Sequence, residues 1–139
     1  MQATISNIKE FTKLMTIVST FDTSFIIKCT SDGLSIFCLD TARTSIVEVN
    51  LPVQYFKQYQ FNKNNVPIQL GINVTVLLST LKAGGKNDVL HILAEADSDK
   101  MRLQMDGEDN QMLYEIKLMN IEEEAMEIPD LEYNIKMNL

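Results

Sequence analysis

The chain has 139 residues, 45% of them apolar, and a formal net charge of −7. That length suits one domain able to bury a single core, and the apolar share excludes a disordered chain. The acidity excludes a protein that grips nucleic acid over its whole surface, because phosphate binding needs clustered Lys and Arg; one weakly basic face on an acidic body remains compatible with it.

Ser6 or Asn7 is placed to cap a first helix, after which Ile8, Phe11, Leu14, Met15 and Val18 recur at helical spacing. Lys9, Lys13, Thr16 and Thr20 fall on the opposite side of that wheel, which leaves a small polar, basic outer face. A hairpin follows. Phe25, Ile27 and Cys29 alternate with Ile26, Lys28 and Thr30, and Ser31-Asp32-Gly33 supplies turn residues. Leu34, Ile36 and Cys38 then alternate with Ser35, Phe37 and Leu39, and a third strand runs from Ile46 to Leu51 with Val47, Val49 and Leu51 facing in.

Residues 62–65 read as a loop, and a short strand begins at Pro67. Asn73 caps a second helix with the apolar stripe Val74, Leu77, Leu78 and Leu81, ended by Gly84-Gly85. Three strands are expected near Val89–Ala96, Met101–Met105 and Met112–Met119. An acidic linker holding Pro129 closes the domain, and a further strand starts at Tyr133. Antiparallel strands interspersed with two helices predict an α+β fold with both helices on one sheet face. The division is a domain over 1–120, a linker over 121–133 and the start of a second domain at 134–139.

Sites for catalysis are missing from the sequence. There is no phosphate-binding glycine loop and no H-E-x-x-H, and His91 is the one histidine, which removes histidine triads and multi-histidine metal sites. Cys29 and Cys38 lie in apolar runs and read as reduced core thiols of an intracellular protein. The acids of Glu122-Glu123-Glu124 lack the turn glycines of a calcium loop and read as a solvated charge run. No cofactor, no metal and no membrane partner are expected: no apolar run approaches the roughly 18 residues of a membrane span, and the N-terminus lacks the order of a signal peptide.

Three features stand out. The first is the basic face of the first helix. The second is an apolar set out of phase with the core: Phe37 and Leu39 beside Leu34, Ile36 and Cys38, and Ile46 beside Val47 and Val49. On neighbouring strands these make an apolar patch on the outer sheet face, fit for a partner unless another part of the chain covers it. The third is the linker, where Met126, Ile128, Pro129 and Leu131 interrupt a run of acids.

Several segments, in order and at the right separations, resemble the N-terminal half of the proliferating cell nuclear antigen family. Tyr114-Glu115-Ile116-Lys117-Leu118-Met119-Asn120-Ile121 is similar to the last strand of its first domain, and Met126-Glu127-Ile128-Pro129-Asp130-Leu131-Glu132-Tyr133 to its interdomain connecting loop. Asp32-Gly33-Leu34 with Leu39-Asp40 resembles its second strand and the loop beyond. Leu70-Gly71-Ile72-Asn73, then Leu81-Lys82 with Gly84, resembles the entry and exit of its second helix.

The resemblance implies a DNA sliding clamp and not an enzyme: three protomers of two such domains close a ring, helices inside and sheets outside, around double-stranded DNA held without sequence preference. It implies Lys9, Lys13, Lys82 and Lys86 as DNA-facing residues, with Ser79 at a position often basic in the family. Leu39, Thr44, Ile46, Met126, Ile128, Pro129 and Leu131 match the pocket for partner peptides of the pattern Gln-x-x-aliphatic-x-x-aromatic-aromatic. Tyr114, Gln111 and Ile116 match the subunit interface of the homotrimer. The implied partners are DNA polymerase, clamp loader, flap nuclease and ligase, in a nucleus or at the replication site of a large DNA virus. The alternatives are a checkpoint-clamp subunit of the same fold and a peptide-docking module that does not encircle DNA.

Overall fold

The computed structural model describes residues 1–21, 24–39, 46–61, 68–85, 87–95, 98–119 and 135–138, with only the backbone described for Leu39 and for 135–138. The elements in chain order are β1 (Gln2–Ile5), α1 (Ile8–Ser19), β2 (Ser24–Thr30), β3 (Gly33–Leu39), β4 (Ile46–Pro52), a 3-10 turn (Val53–Tyr55), β5 (Gln58–Gln60), β6 (Ile68–Asn73), α2 (Val74–Lys82), β7 (Val89–Ala94), β8 (Lys100–Asp106), β9 (Gln111–Lys117) and β10 (Ile135–Asn138). They form two five-stranded sheets, ordered β5-β1-β7-β8-β9 and β10-β4-β3-β2-β6. Every pair is antiparallel except β10 with β4, which run parallel with Ile135 opposite Val47. The fold is α+β, as the sequence predicts, with both helices on one side of the sheets.

One core joins the layers. Phe11, Leu14, Met15 and Val18 of α1 and Val74, Leu77 and Leu81 of α2 meet the inward residues of both sheets. The alternation read from the sequence is the alternation of burial: Phe25, Ile27 and Cys29 on β2, Leu34, Ile36 and Cys38 on β3, and Val47, Val49 and Leu51 on β4 all point inward. Leu90, Ile92, Met101, Leu103 and Met105 do the same for the other sheet. Burial raises the Cys29 thiol to about 12, so it remains protonated and unreactive in the core.

Local chemistry sets the element ends. Asn7 accepts from the Glu10 amide at 3.1 Å, and Asn73 accepts from the Thr75 and Val76 amides at 2.9 and 3.3 Å, so each asparagine satisfies amides that the helix leaves unpaired. α2 stops at Lys82, with Ala83 in a right-handed cap, and Gly84 follows with its amide on the Leu81 carbonyl at 3.1 Å. The β2–β3 turn needs its glycine: Gly33 has φ +134°, and a Cβ there would lie 2.1 Å from the Leu51 carbonyl oxygen.

Two strands escape the sequence reading. β1 has only four residues, too few for alternation to register, yet it is a central strand between β5 and β7. β5 is polar, and what anchors it is Tyr59, whose hydroxyl sits 2.5 Å from the Thr30 carbonyl and 3.1 Å from that of Gly33. Tyr59 thereby ties one sheet to the hairpin turn of the other.

Candidate nucleic-acid interface and subunit edges

The helix layer presents the basic residues. α1 buries Ile8, Phe11, Leu14, Met15 and Val18, which turns Lys9 and Lys13 to solvent with Thr16, Ile17 and Thr20. α2 buries Val74, Leu77, Thr80 and Leu81, which exposes Lys82 with Thr75, Val76 and Ser79. The two helices touch, so these residues belong to one surface. None of the three lysines forms a salt bridge among the described residues. Lys86 lies outside the described residues.

Three hydroxyls of this surface are turned inward on their own helices. Thr16 donates to the Thr12 carbonyl at 2.9 Å, Thr20 to Ile17 at 2.7 Å and Ser79 to Thr75 at 3.0 Å. Their protons are engaged, so the charged donors this surface offers a phosphate are the ammonium groups of Lys9, Lys13 and Lys82. Ile17 and Val76, 48% and 46% exposed, add apolar contact between them. Such a surface attracts a polyanion weakly and offers few fixed hydrogen bonds. The sequence wheel reaches Lys9 and Lys13 but not Lys82 or the engaged hydroxyls.

The outer faces of the sheets differ. On the β1–β7–β8–β9 face the registers align Thr4, His91, Gln104 and Leu113 in one row, with Asp106 and Gln111 in the next. His91 Nε2 lies 3.0 Å from Asp106 Oδ2, and Nδ1 lies 3.0 Å from the Thr4 hydroxyl. A carboxylate only accepts, so Nε2 carries a proton and donates to Asp106. Gln104 and Gln111 also donate to Asp106, at 3.0 and 3.1 Å. These amides, then His91, hold the Asp106 carboxyl below its ordinary value. His91 is thus a structural tie across three strands.

On the other sheet, Ile26, Phe37 and Glu48 form one outer row and Leu39 stands opposite Ile46. The strands are neighbours, as the apolar patch requires, and Ile26 and Phe37 are half-buried. Ile46 departs from the expectation of an open patch: it is 1% exposed, although it stands outside the main core cluster. It is covered on the outer side of β4. Thr44, Met126, Ile128, Pro129 and Leu131 lie outside the described residues.

Among the described residues β9 is an edge strand, paired with β8 alone. Tyr114 is half-buried and packs against the core, and among the described residues its hydroxyl reaches only the Met112 thioether, at 3.7 Å. Gln111 is exposed, and Leu113, 69% exposed, is an apolar residue on the outer face that the sequence reading did not single out. Ile116 turns its side chain inward, opposite Met101, and is 4% exposed; at an edge it offers backbone rather than side chain. Among the described residues there is no cluster of three side chains able to hold a metal ion.

This arrangement of two sheets under a two-helix layer is that of a sliding-clamp domain. A solved structure titled the PCNA2-PCNA3 complex from Sulfolobus tokodaii superposes with a TM-score of 0.80 at 23% identity, over 95% of this chain and 51% of that one. Proliferating cell nuclear antigen of Chaetomium thermophilum is 30% identical over 107 residues, which are 76% of this chain and 40% of that protein. The DNA polymerase sliding clamp of Pyrococcus horikoshii is 28% identical over 129 residues, 93% of this chain and 50% of its own length. The model of the proliferating cell nuclear antigen N-terminal domain matches residues 1–126, and the chain belongs to that family. Membership places it among scaffold proteins rather than enzymes. The chain spans about half the length of the curated relatives it matches, 40% to 51%.

Proposed function

We propose that this chain is the first domain of a ring-forming clamp that encircles duplex DNA as a homotrimer, confers processivity on DNA polymerase and recruits replication and repair proteins. The observation that carries the reading is the helix layer: in a member of the clamp family, the lysines Lys9, Lys13 and Lys82 lie on the exposed side of two touching helices, where the hydroxyls of Thr16, Thr20 and Ser79 are engaged by their own helices. Retention by a closed ring needs few phosphate contacts, which reconciles a net charge of −7 with work on DNA. Lys86 joins this face in the proposal.

The division into a domain over 1–120, a connector over 121–133 and a second domain from 134 belongs to the same reading. β9, with Gln111, Tyr114 and the backbone at Ile116, is the subunit boundary. Leu39, Thr44, Ile46, Met126, Ile128, Pro129 and Leu131 form the docking surface for clamp-loader, polymerase, flap-nuclease and ligase peptides. Their basic flanks would be favoured by the acidic connector, in a salt-dependent way. The place of action is a nucleus or a viral replication site.

Loading the full-length protein onto circular and linear DNA tests the ring. Retention on nicked circles, and its loss when the circle is cut, is expected; equal retention on both forms refutes encirclement. Calorimetry with a glutamine-aliphatic-diaromatic peptide tests the docking surface. Ile128→Ser is expected to weaken binding, and an unchanged affinity removes the connector from that surface.

A further inference from the structure

We infer that Asp88 is a positioning residue for the lysine-bearing helix layer, and that its carboxylate ties the loop leaving α2 to the turn between β8 and β9. The inference rests on the reading of that layer as the face toward DNA.

α2 ends at Lys82, and the chain then passes through Gly84 and Gly85 to enter β7 at Val89. Inside this loop the Asp88 carboxylate accepts from the Gly85 amide at 2.7 Å, and the Asp88 amide donates to the Gly85 carbonyl at 3.2 Å. The second carboxylate oxygen lies against the β8–β9 turn. A Cβ on Gly107 would stand 2.8 Å from Asp88 Oδ1, and a Cβ on Gly85 would stand 3.0 Å from the same atom. Among the described glycines only Gly33 has a positive φ, so backbone angles do not require glycine at 85 or 107. Room for the carboxylate does. Gly84 makes a further close approach, since a Cβ there would lie 2.7 Å from the Met105 sulfur on β8 and 3.2 Å from Ile8 Cδ1 on α1. The exit of α2, the start of α1 and the β8–β9 hairpin therefore meet at one junction.

The Asp88 side chain is short, and one of its oxygens is held by the Gly85 amide. It cannot give way at Gly107 without loosening its hold on Gly85. A methyl group on the β8–β9 turn would thus act on the loop through Asp88. Lys82 stands at the end of the helix that this loop anchors, and β9 leaves the same turn at Gln111. The tie fixes the lysine of one element against the edge strand of the other. Asp88 forms no salt bridge among the described residues. By charge alone, removing it would favour a polyanion. A positioning role predicts the opposite sign.

The test begins with amide exchange at Gly85 in this chain. Asp88→Ala and Gly107→Ala are each expected to speed exchange by about tenfold or more, the scale of a lost hydrogen bond to a charged group. Asp88→Asn is expected to change it much less, because its side-chain oxygen still accepts. In the Asp88→Ala background, Gly107→Ala is expected to add almost nothing, since the carboxylate it displaces is gone. In the full-length protein, with urea unfolding showing the domain folded, Asp88→Ala and Gly107→Ala are expected to weaken DNA engagement, whereas Asp88→Asn is expected to preserve or strengthen it. Unchanged exchange at Gly85, or effects of Asp88→Ala and Gly107→Ala that simply add, overturns the tie. Faster exchange with DNA engagement unchanged or strengthened overturns the positioning role. Lys13→Ala with Lys82→Ala, measured alongside, separates the two readings. If that pair weakens engagement while the Asp88 and Gly107 variants do not, the DNA face stands without Asp88; if the pair has no effect either, the face falls and this inference with it.

Discussion

Tyr114→Ala separates what holds the domain together from what joins it to a neighbour. Tyr114 lies on the edge strand β9 at the margin of the core, half-buried. Full burial of a large aromatic is worth about 3–5 kcal/mol against Ala, so half-burial at a margin puts the domain's own loss near 1.5–2.5 kcal/mol. The hydroxyl contributes little, since its one contact among the described residues is a thioether at 3.7 Å. Tyr114→Phe is therefore expected to leave the domain's stability nearly unchanged. The exposed half of the ring is what a neighbouring protomer would cover. Truncating an interface aromatic at a hot spot costs about 2 kcal/mol or more, roughly 30-fold in affinity at each boundary. Urea unfolding of this chain reads the first quantity, and sedimentation of the full-length protein reads the second. A Tyr114→Ala protein that stays trimeric at low micromolar concentration, with the domain folded, refutes the boundary. A Tyr114→Phe loss as large as that of Ala shows that the hydroxyl, not the ring, carries the contact.

Gly33→Ala sets a Cβ 2.1 Å from the Leu51 carbonyl oxygen at a φ that L residues avoid. It should cost about 3 kcal/mol or more in urea unfolding, and a loss below roughly 1 kcal/mol would mean the turn relaxes freely. Asp106 has a lowered pKa in the folded state. Its carboxylate therefore contributes stability that is present above the unfolded value and lost as pH falls through the lower folded value. Asp106→Asn should flatten that acid limb in a pH series of unfolding midpoints, and an identical limb would assign the acid sensitivity elsewhere. Lys13→Ala with Lys82→Ala, in the full-length protein, should weaken DNA engagement and lower the salt slope by roughly 1.8, with the fold intact. Unchanged loading and sliding would remove both lysines from the DNA face.

Alternation and helical spacing were sufficient for most of the fold, because burial on one face repeats every two or 3.6 residues and leaves its mark in the residue types. The inward sets of β2, β3 and β4, the two helix stripes and the two asparagine caps were all legible in this way. β1 and β5 were not: a four-residue and a three-residue strand are too short for a period, and each is held by contacts with residues distant in sequence. The N-terminal ammonium on the Ala94 carbonyl at 2.7 Å and the Tyr59 hydroxyl on the β2–β3 turn are such contacts.

The candidate site divides along the same line. Lys9 and Lys13 follow from the wheel, because a helix that buries one stripe must expose the opposite one. That Lys82 shares their surface follows only from the packing of α2 on α1. Phase alone placed Leu39 and Ile46 off the core face, but phase says which way a side chain points and not what lies above it; Ile46 points outward and is nonetheless covered. The same limit applies at β9. Its sequence resembles a boundary strand, yet whether Ile116 offers a side chain or only backbone is decided by the inward turn of the strand against Met101, a partner fifteen residues away in the chain and adjacent in the sheet.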